Sequence, residues 1–127
     1  MNRINVSSGS ALEKPIGFSR AVRIGNIISV SGTAPIAQDG STAHPNDLYN
    51  QTARCLEIIK KAILDAGGQL ENVIRTRIFL KDISDWKKAA KAHSEYFSEI
   101  LPACTFVEVT GFVKDDWLIE IEADCVI

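Results

Sequence analysis

Cys104 and His93 are the residues whose types could carry out covalent chemistry. A thiol becomes a nucleophile only beside a base or a cation, and His93 could be that base. The pattern around His93 favours packing instead: it shares a helical stripe with Trp86, Ala90, Phe97 and Ile100, where a histidine is more often part of a core. Cys55 and Cys125 fall on apolar faces and read as core thiols. Three cysteines, odd in number and widely spaced, form no CxxC and no Cys/His metal pattern. They read as reduced thiols in a cytoplasmic protein, with no metal centre. His44 precedes Pro45 in a loop and has no nameable partner.

Charge supplies the second set of candidates. Arg75, Arg77 and Lys81 recur at every second or fourth position of one stretch, and Glu120, Glu122 and Asp124 alternate along another. On paired strands these two sets would face each other and form ion pairs. Lys87, Lys88 and Lys91 make a small basic patch that reads as the solvated side of a helix. The 127 residues hold 14 Lys and Arg against 16 Asp and Glu, a net charge of −2. That balance argues against an electrostatic nucleic-acid binder. With 46% apolar and 24% charged residues the chain can bury a core. No apolar run approaches the roughly 20 residues of a membrane span, and Met1 to Lys14 holds no signal-like apolar stretch.

The elements that would carry these residues follow from periodicity. Residues 1–14 are small and polar and read as a flexible arm of a single domain spanning 1–127. Ala21–Ile24 and Ile27–Ser31 form a hairpin about Gly25-Asn26, and Gly32 ends its second strand. Asn46 or Asp47 caps a helix reaching Ala66, with Leu48, Thr52, Cys55, Ile59, Ala62, Ile63 and Ala66 on its buried face and Gly67-Gly68 as its stop. Val73–Lys81 is a strand with Ile74, Thr76, Ile78 and Leu80 on one face. Ser84 caps a second helix to about Ile100; Thr105–Thr110 and Trp117–Ile127 are the last strands. The order β-β-α-β-α-β-β with right-handed crossovers places both helices on one face of a mixed α+β sheet. The other face would carry Phe79, Leu118 and Val126 with no cover from its own chain, and is expected to be buried against other subunits.

Several segments, taken in order, resemble the Rid family (RidA/YjgF, reactive intermediate deaminase, once called endoribonuclease L-PSP). They are Pro15-Ile16-Gly17-Phe18-Ser19, Val30-Ser31-Gly32, Gln51-Thr52-Ala53-Arg54, Ile78-Phe79-Leu80-Lys81-Asp82, Pro102-Ala103 with Val107-Glu108-Val109, and Ile119-Glu120-Ile121-Glu122-Ala123. The resemblance implies a chorismate-mutase-like fold and a homotrimer with small-molecule clefts between subunits. It implies hydrolysis of reactive 2-imino and 2-enamino acids to 2-oxo acids and ammonia, with neither metal nor organic cofactor. Glu120 matches the water-holding carboxylate and Gly32 the glycine where backbone approaches a ligand. Phe18 stands where many members have Tyr, and Ala90 where some carry an amide. The family's Pro-Ala-Arg-Ser-Cys-Val-Glu-Val becomes Pro-Ala-Cys-Thr-Phe-Val-Glu-Val here. Cys104 therefore replaces the guanidinium that clamps the substrate carboxylate, and Thr105 and Phe106 complete an altered, more apolar substrate-binding segment.

That departure argues against efficient 2-imino acid deamination. Three readings stay open: a hydrolase for imines or enamines with Glu120 handling water, a non-catalytic trimer that binds a metabolite or client protein, and, least supported by charge, a ribonuclease. Glu120 could equally belong to a charged sheet face, and Arg75 or Arg77 could replace the lost cation.

Overall fold

A computed structural model describes residues 2–127. The strands are β1 (Arg3–Val6), β2 (Ala21–Ile24), β3 (Ile27–Thr33), β4 (Val73–Leu80), β5 (Ala103–Glu108) and β6 (Ile119–Val126). The helices are α1 (Glu13–Ile16), α2 (Leu48–Asp65) and α3 (Trp86–Phe97). The strands form one mixed sheet in the order β1-β2-β3-β6-β4-β5. β4 and β5 run parallel, and every other neighbouring pair is antiparallel. The long helices α2 and α3 lie on one face, as the two crossovers require.

The sheet has one strand more than periodicity suggests. Arg3–Val6, expected to be part of a flexible arm, pairs antiparallel with β2. Val6 enters the core, and the Asn5 amide donates to Ser19 Oγ at 2.9 Å. Beyond it the buried Glu13 gathers the backbone N–H and hydroxyl of Ser8 and the N–H of Ser10. A polar, small-residue stretch is thus ordered by backbone pairing and one carboxylate, neither of which leaves a hydrophobic period to read.

The amphipathic reading of α2 holds. Asp47 is its N-cap, accepting from the Asn50 N–H at 3.0 Å. Beyond Ala66 the chain turns through Gly67 at φ +87°, a left-handed conformation that glycine takes without a Cβ clash. α3 begins differently. Ser84 lies within a short 3-10 turn, Ile83–Asp85, whose cap is Asp82, accepting from the Ser84 N–H at 2.9 Å. The buried stripe of α3 is Ala89, Ala92 and Phe97, and Trp86 is exposed.

Ile119, Ile121, Ala123 and Cys125 of β6 all face the helices. On β4 a bulge between Val73 and Arg75 reverses the expected facing of its first residues. Val73 is 3% exposed and Ile74 53%, whereas Thr76, Ile78 and Leu80 stay buried. Ile121 lies at the sheet's centre, opposite Ile78 and Thr33, and is fully buried. Ile121→Val should cost about 0.5–1.5 kcal/mol, read as a lower urea midpoint with an unchanged slope.

Among the described residues no helix covers the other face. It exposes Ile24, Ile27, Val107 and Val126, around a half-buried strip of Arg75, Arg77, Glu120, Glu122 and Asp124. The two charge sets meet as expected: Arg77 lies 2.9 Å from Asp124 and 3.5 Å from Glu122. Among the described residues no helix is long and apolar enough to cross a membrane.

Candidate functional site

The register of β3 against β6 slips between Val30 and Thr33, so Ser31 and Gly32 together oppose Glu122 alone. This bulge brings the Gly32 backbone against Glu120. A Cβ at position 32 would lie 3.3 Å from Glu120 Oε1, so glycine keeps the space beside that carboxylate open. The bulge is held from behind by Arg20. Arg20 Nη1 donates to Gly32 O at 2.7 Å and to Thr33 Oγ1 at 3.1 Å. The Ser31 hydroxyl donates to Ser19 O at 2.6 Å, tying the same turn to the Phe18-Ser19 segment. The guanidinium lies over the Phe18 ring, 5.3 Å from its centroid.

Phe18, Gly32 and Glu120 thus gather around Arg20 at one end of the sheet. Burial pushes the Glu120 carboxyl above its ordinary value; Arg20 works against this, and the neighbouring Glu122 adds to it. No cation forms a salt bridge with Glu120 among the described residues. A half-buried, unpaired carboxylate of raised pKa, next to accessible backbone, is suited to hold a water and take its proton.

Arg20 is the residue that sequence reasoning missed. The one available signal was a lone charge at the entry of an apolar strand, Ser19-Arg20-Ala21. Its partners are backbone and a threonine hydroxyl, which no spacing rule reveals.

Cys104, Thr105 and Phe106 lie elsewhere, on edge strand β5. In register they neighbour Thr76, Arg77 and Ile78 of β4. Cys104 and Phe106 therefore share the helix-side face and Thr105 the open one. Cys104 is exposed, and Thr105 Oγ1 accepts from Arg75 Nη1 at 3.2 Å. Phe106 packs edge-on against Trp86, with ring centroids 5.9 Å apart. Phe79 stands opposite both Glu120 and Val107, so Cys104 is two strands away and three residues back. At about 4.8 Å per strand and 3.3 Å per residue that is roughly 14 Å. Within one chain the two groups of candidates do not meet.

The Cys104–His93 pair also does not form. His93 Nε2 is 2.9 Å from Thr76 Oγ1, and its ring packs on Phe97 with centroids 4.7 Å apart. Burial lowers its pKa. No hydrogen bond joins it to Cys104 among the described residues. Arg77 is held by Asp124, whereas Arg75 meets only the neutral Thr105 hydroxyl. Among the described residues no three His, Cys, Asp or Glu side chains gather as a metal-binding group.

Comparison with known proteins bears on the family and the fold. The family described as endoribonuclease L-PSP matches residues 8–127. A RutC family protein of Pyrococcus abyssi is 41% identical over 111 residues, 87% of each chain. The 3-aminoacrylate deaminase RutC of Acinetobacter baylyi is 41% identical over 101 residues, 80% of this chain and 79% of that one. Among solved structures, a YjgF/YER057c/UK114 family member from Mycobacterium tuberculosis superposes with a TM-score of 0.90 at 40% identity, covering 99% of this chain and 100% of that one. The E. coli YjgF gene product superposes with a TM-score of 0.85 at 28% identity, covering 97% and 98%.

Proposed function

Because the chain belongs to the YjgF/endoribonuclease L-PSP family, also called Rid, we propose that it hydrolyses small reactive imines or enamines in clefts between the subunits of a homotrimer. The observation that carries this reading is the Glu120 carboxylate, half-buried, free of a salt bridge and set against the Gly32 backbone. An enamine first takes a proton from solvent at its β-carbon to become the iminium; Glu120 then takes a proton from a bound water as the water adds to the C=N carbon. The resulting carbinolamine then collapses to a carbonyl compound and ammonia, with the proton returned to the leaving nitrogen. Neither oxidant nor metal is needed for this balance. The likeness to a 3-aminoacrylate deaminase supports the reaction class.

The trimer is supported by the uncovered sheet face and by the separation of Phe18, Gly32 and Glu120 from Cys104, Thr105 and Phe106. A cleft lined by both groups needs two chains. Cys104 supplies no carboxylate clamp there: a thiol is a weak donor, and a thiolate would repel an anion. Efficient turnover of 2-imino acids is accordingly not expected. The cytoplasm, with its reduced thiols, is the compartment this reading assigns.

Sedimentation at micromolar concentration should give the mass of three chains; a well-behaved monomer would remove the shared cleft. The activity test times the decay of 3-aminoacrylate and 2-iminobutanoate, generated in situ, with and without protein. Acceleration of either supports hydrolysis. No acceleration of either would leave the second reading, a metabolite-binding trimer without catalysis, which the loss of the clamp at Cys104 favours.

A further inference from the structure

Cys104 and Phe106 share the helix-side face of edge strand β5, and α3 lies against them. Trp86, Ala90 and His93 recur at i, i+4 and i+7, which places them on one face of that helix. Two contacts show that this face meets β5. The Trp86 ring stands edge-on to Phe106, with centroids 5.9 Å apart, and the His93 ring is 6.5 Å from the same phenyl. Thr76 neighbours Cys104 in register and bonds His93 Nε2, which sets His93 level with Cys104. Trp86 nevertheless remains 43% exposed, and Cys104 is exposed as well. An indole held against a phenyl ring, with part of its surface still open, is ready to take a further apolar group.

The charges around this surface disfavour an anion. Glu108, next on the same face of β5, accepts from the Ile83 N–H at 3.0 Å. His93 is neutral near pH 7 because burial lowers its pKa. Lys88 lies 3.8 Å from Asp85, and Lys91 lies over the Tyr49 ring. Lys87 is roughly 100° around the helix from Trp86. Arg75 meets Thr105 on the opposite, open face of the sheet. A carboxylate placed against Trp86 and Phe106 would lose water without gaining a cation. An aromatic ring would gain both the buried area and edge-to-face attraction to the two rings already there.

We propose that Trp86 is a specificity-determining residue: with Phe106 and Cys104 it forms a subsite for an uncharged aromatic substituent, so the preferred substrate is a neutral, aryl-bearing imine rather than a 2-imino acid. This rests on the reading that Cys104, Thr105 and Phe106 line the hydrolytic cleft. The reaction is the one already described, R–CH=NH and water giving an aldehyde and ammonia. Phenylethanimine and butanimine, formed in situ from phenethylamine and butylamine by a flavin amine oxidase, differ in the ring. 2-Imino-3-phenylpropanoate, formed from phenylalanine by an amino acid oxidase, adds only the carboxylate to phenylethanimine. kcat/KM for phenylethanimine should exceed the other two, and butanimine by at least about tenfold. Trp86→Ala, at an exposed position, should lower the ratio of phenylethanimine to butanimine severalfold, and Trp86→Phe should restore most of it. Calorimetry with phenylacetamide, a stable neutral analogue, reads the subsite without catalysis: it should bind at least about tenfold more tightly than butanamide, more tightly than phenylacetate, and more weakly to Trp86→Ala. Phenylacetamide binding that depends on Trp86, with no imine hydrolysed, would uphold the subsite and remove the hydrolytic reading. Hydrolysis of imines with no preference for the benzyl group, or with a preference for the carboxylate, would leave hydrolysis standing and overturn the subsite. No binding of phenylacetamide, equal binding of phenylacetate, or unchanged binding in folded Trp86→Ala would overturn it too.

Discussion

Glu120→Gln is expected to lower hydrolysis of imines or enamines by about 10²–10⁴-fold, the usual contribution of a general base, while leaving the protein folded. The amide keeps the shape of the side chain beside Gly32 but cannot accept the water's proton. The same substitution should make the fold more resistant to urea at neutral pH. Burial raises the folded-state pKa of Glu120 despite the opposing Arg20, so the folded chain holds this proton more tightly than the unfolded one. Between the unfolded and folded pKa values the folded state binds more protons, and stability falls as pH rises. Gln removes that dependence. The stability gain of the variant should therefore be present at neutral pH and vanish below the unfolded carboxyl pKa. Wild-type kcat/KM should fall on the acid side with an apparent pKa above the ordinary carboxyl value. Full activity in Glu120→Gln would remove this residue from the mechanism. A loss of activity accompanied by a loss of stability would mark it as a structural member of the charged strip.

Cys104→Arg should raise kcat/KM for 2-iminobutanoate by at least about tenfold, and by up to several hundredfold. Each charge-assisted hydrogen bond contributes about 1.5–3 kcal/mol, and a guanidinium can offer two to one carboxylate. The position tolerates the change because Cys104 is exposed on an edge strand, so the longer side chain displaces no core. The gain should appear for substrates bearing a carboxylate and be absent for a neutral imine. An inert but well-folded trimer would show that more than the clamp has been lost, with Phe18 in place of Tyr and Ala90 in place of an amide the next candidates. Running both variants on both substrates separates proton transfer from anion binding: Glu120→Gln should act on turnover, Cys104→Arg chiefly on KM.

The helices and most strands were legible because their signals are local. Period 3.6 in α2 and period 2 in β6 each reflect one buried face, and a buried face leaves its mark on every turn or every second residue. The pairing of Arg77 with Glu122 and Asp124 was legible for the same reason, since alternation places the charges on one face once the strands are neighbours. Gly32 and Glu120 were found through motif likeness, and they do lie side by side. What periodicity could not carry was anything set by register or by an extra residue. The bulge at Ile74 turned an apolar residue outward, and the bulge at Ser31-Gly32 brought backbone to Glu120. Pairing of Arg3–Val6 with β2 ordered a segment that has no apolar rhythm. Arg20 could not be assigned from spacing, because its bonds run to a carbonyl and a hydroxyl 12 and 13 residues away, through contacts that exist only after the sheet has closed. The distance between the Glu120 and Cys104 groups is likewise a product of strand order, β3-β6-β4-β5, which chain order does not reveal. Local pattern follows from which side of an element meets water; the meeting of distant side chains follows from how whole elements pack, and that is decided by the sum of many weak contacts rather than by any one stretch of residues.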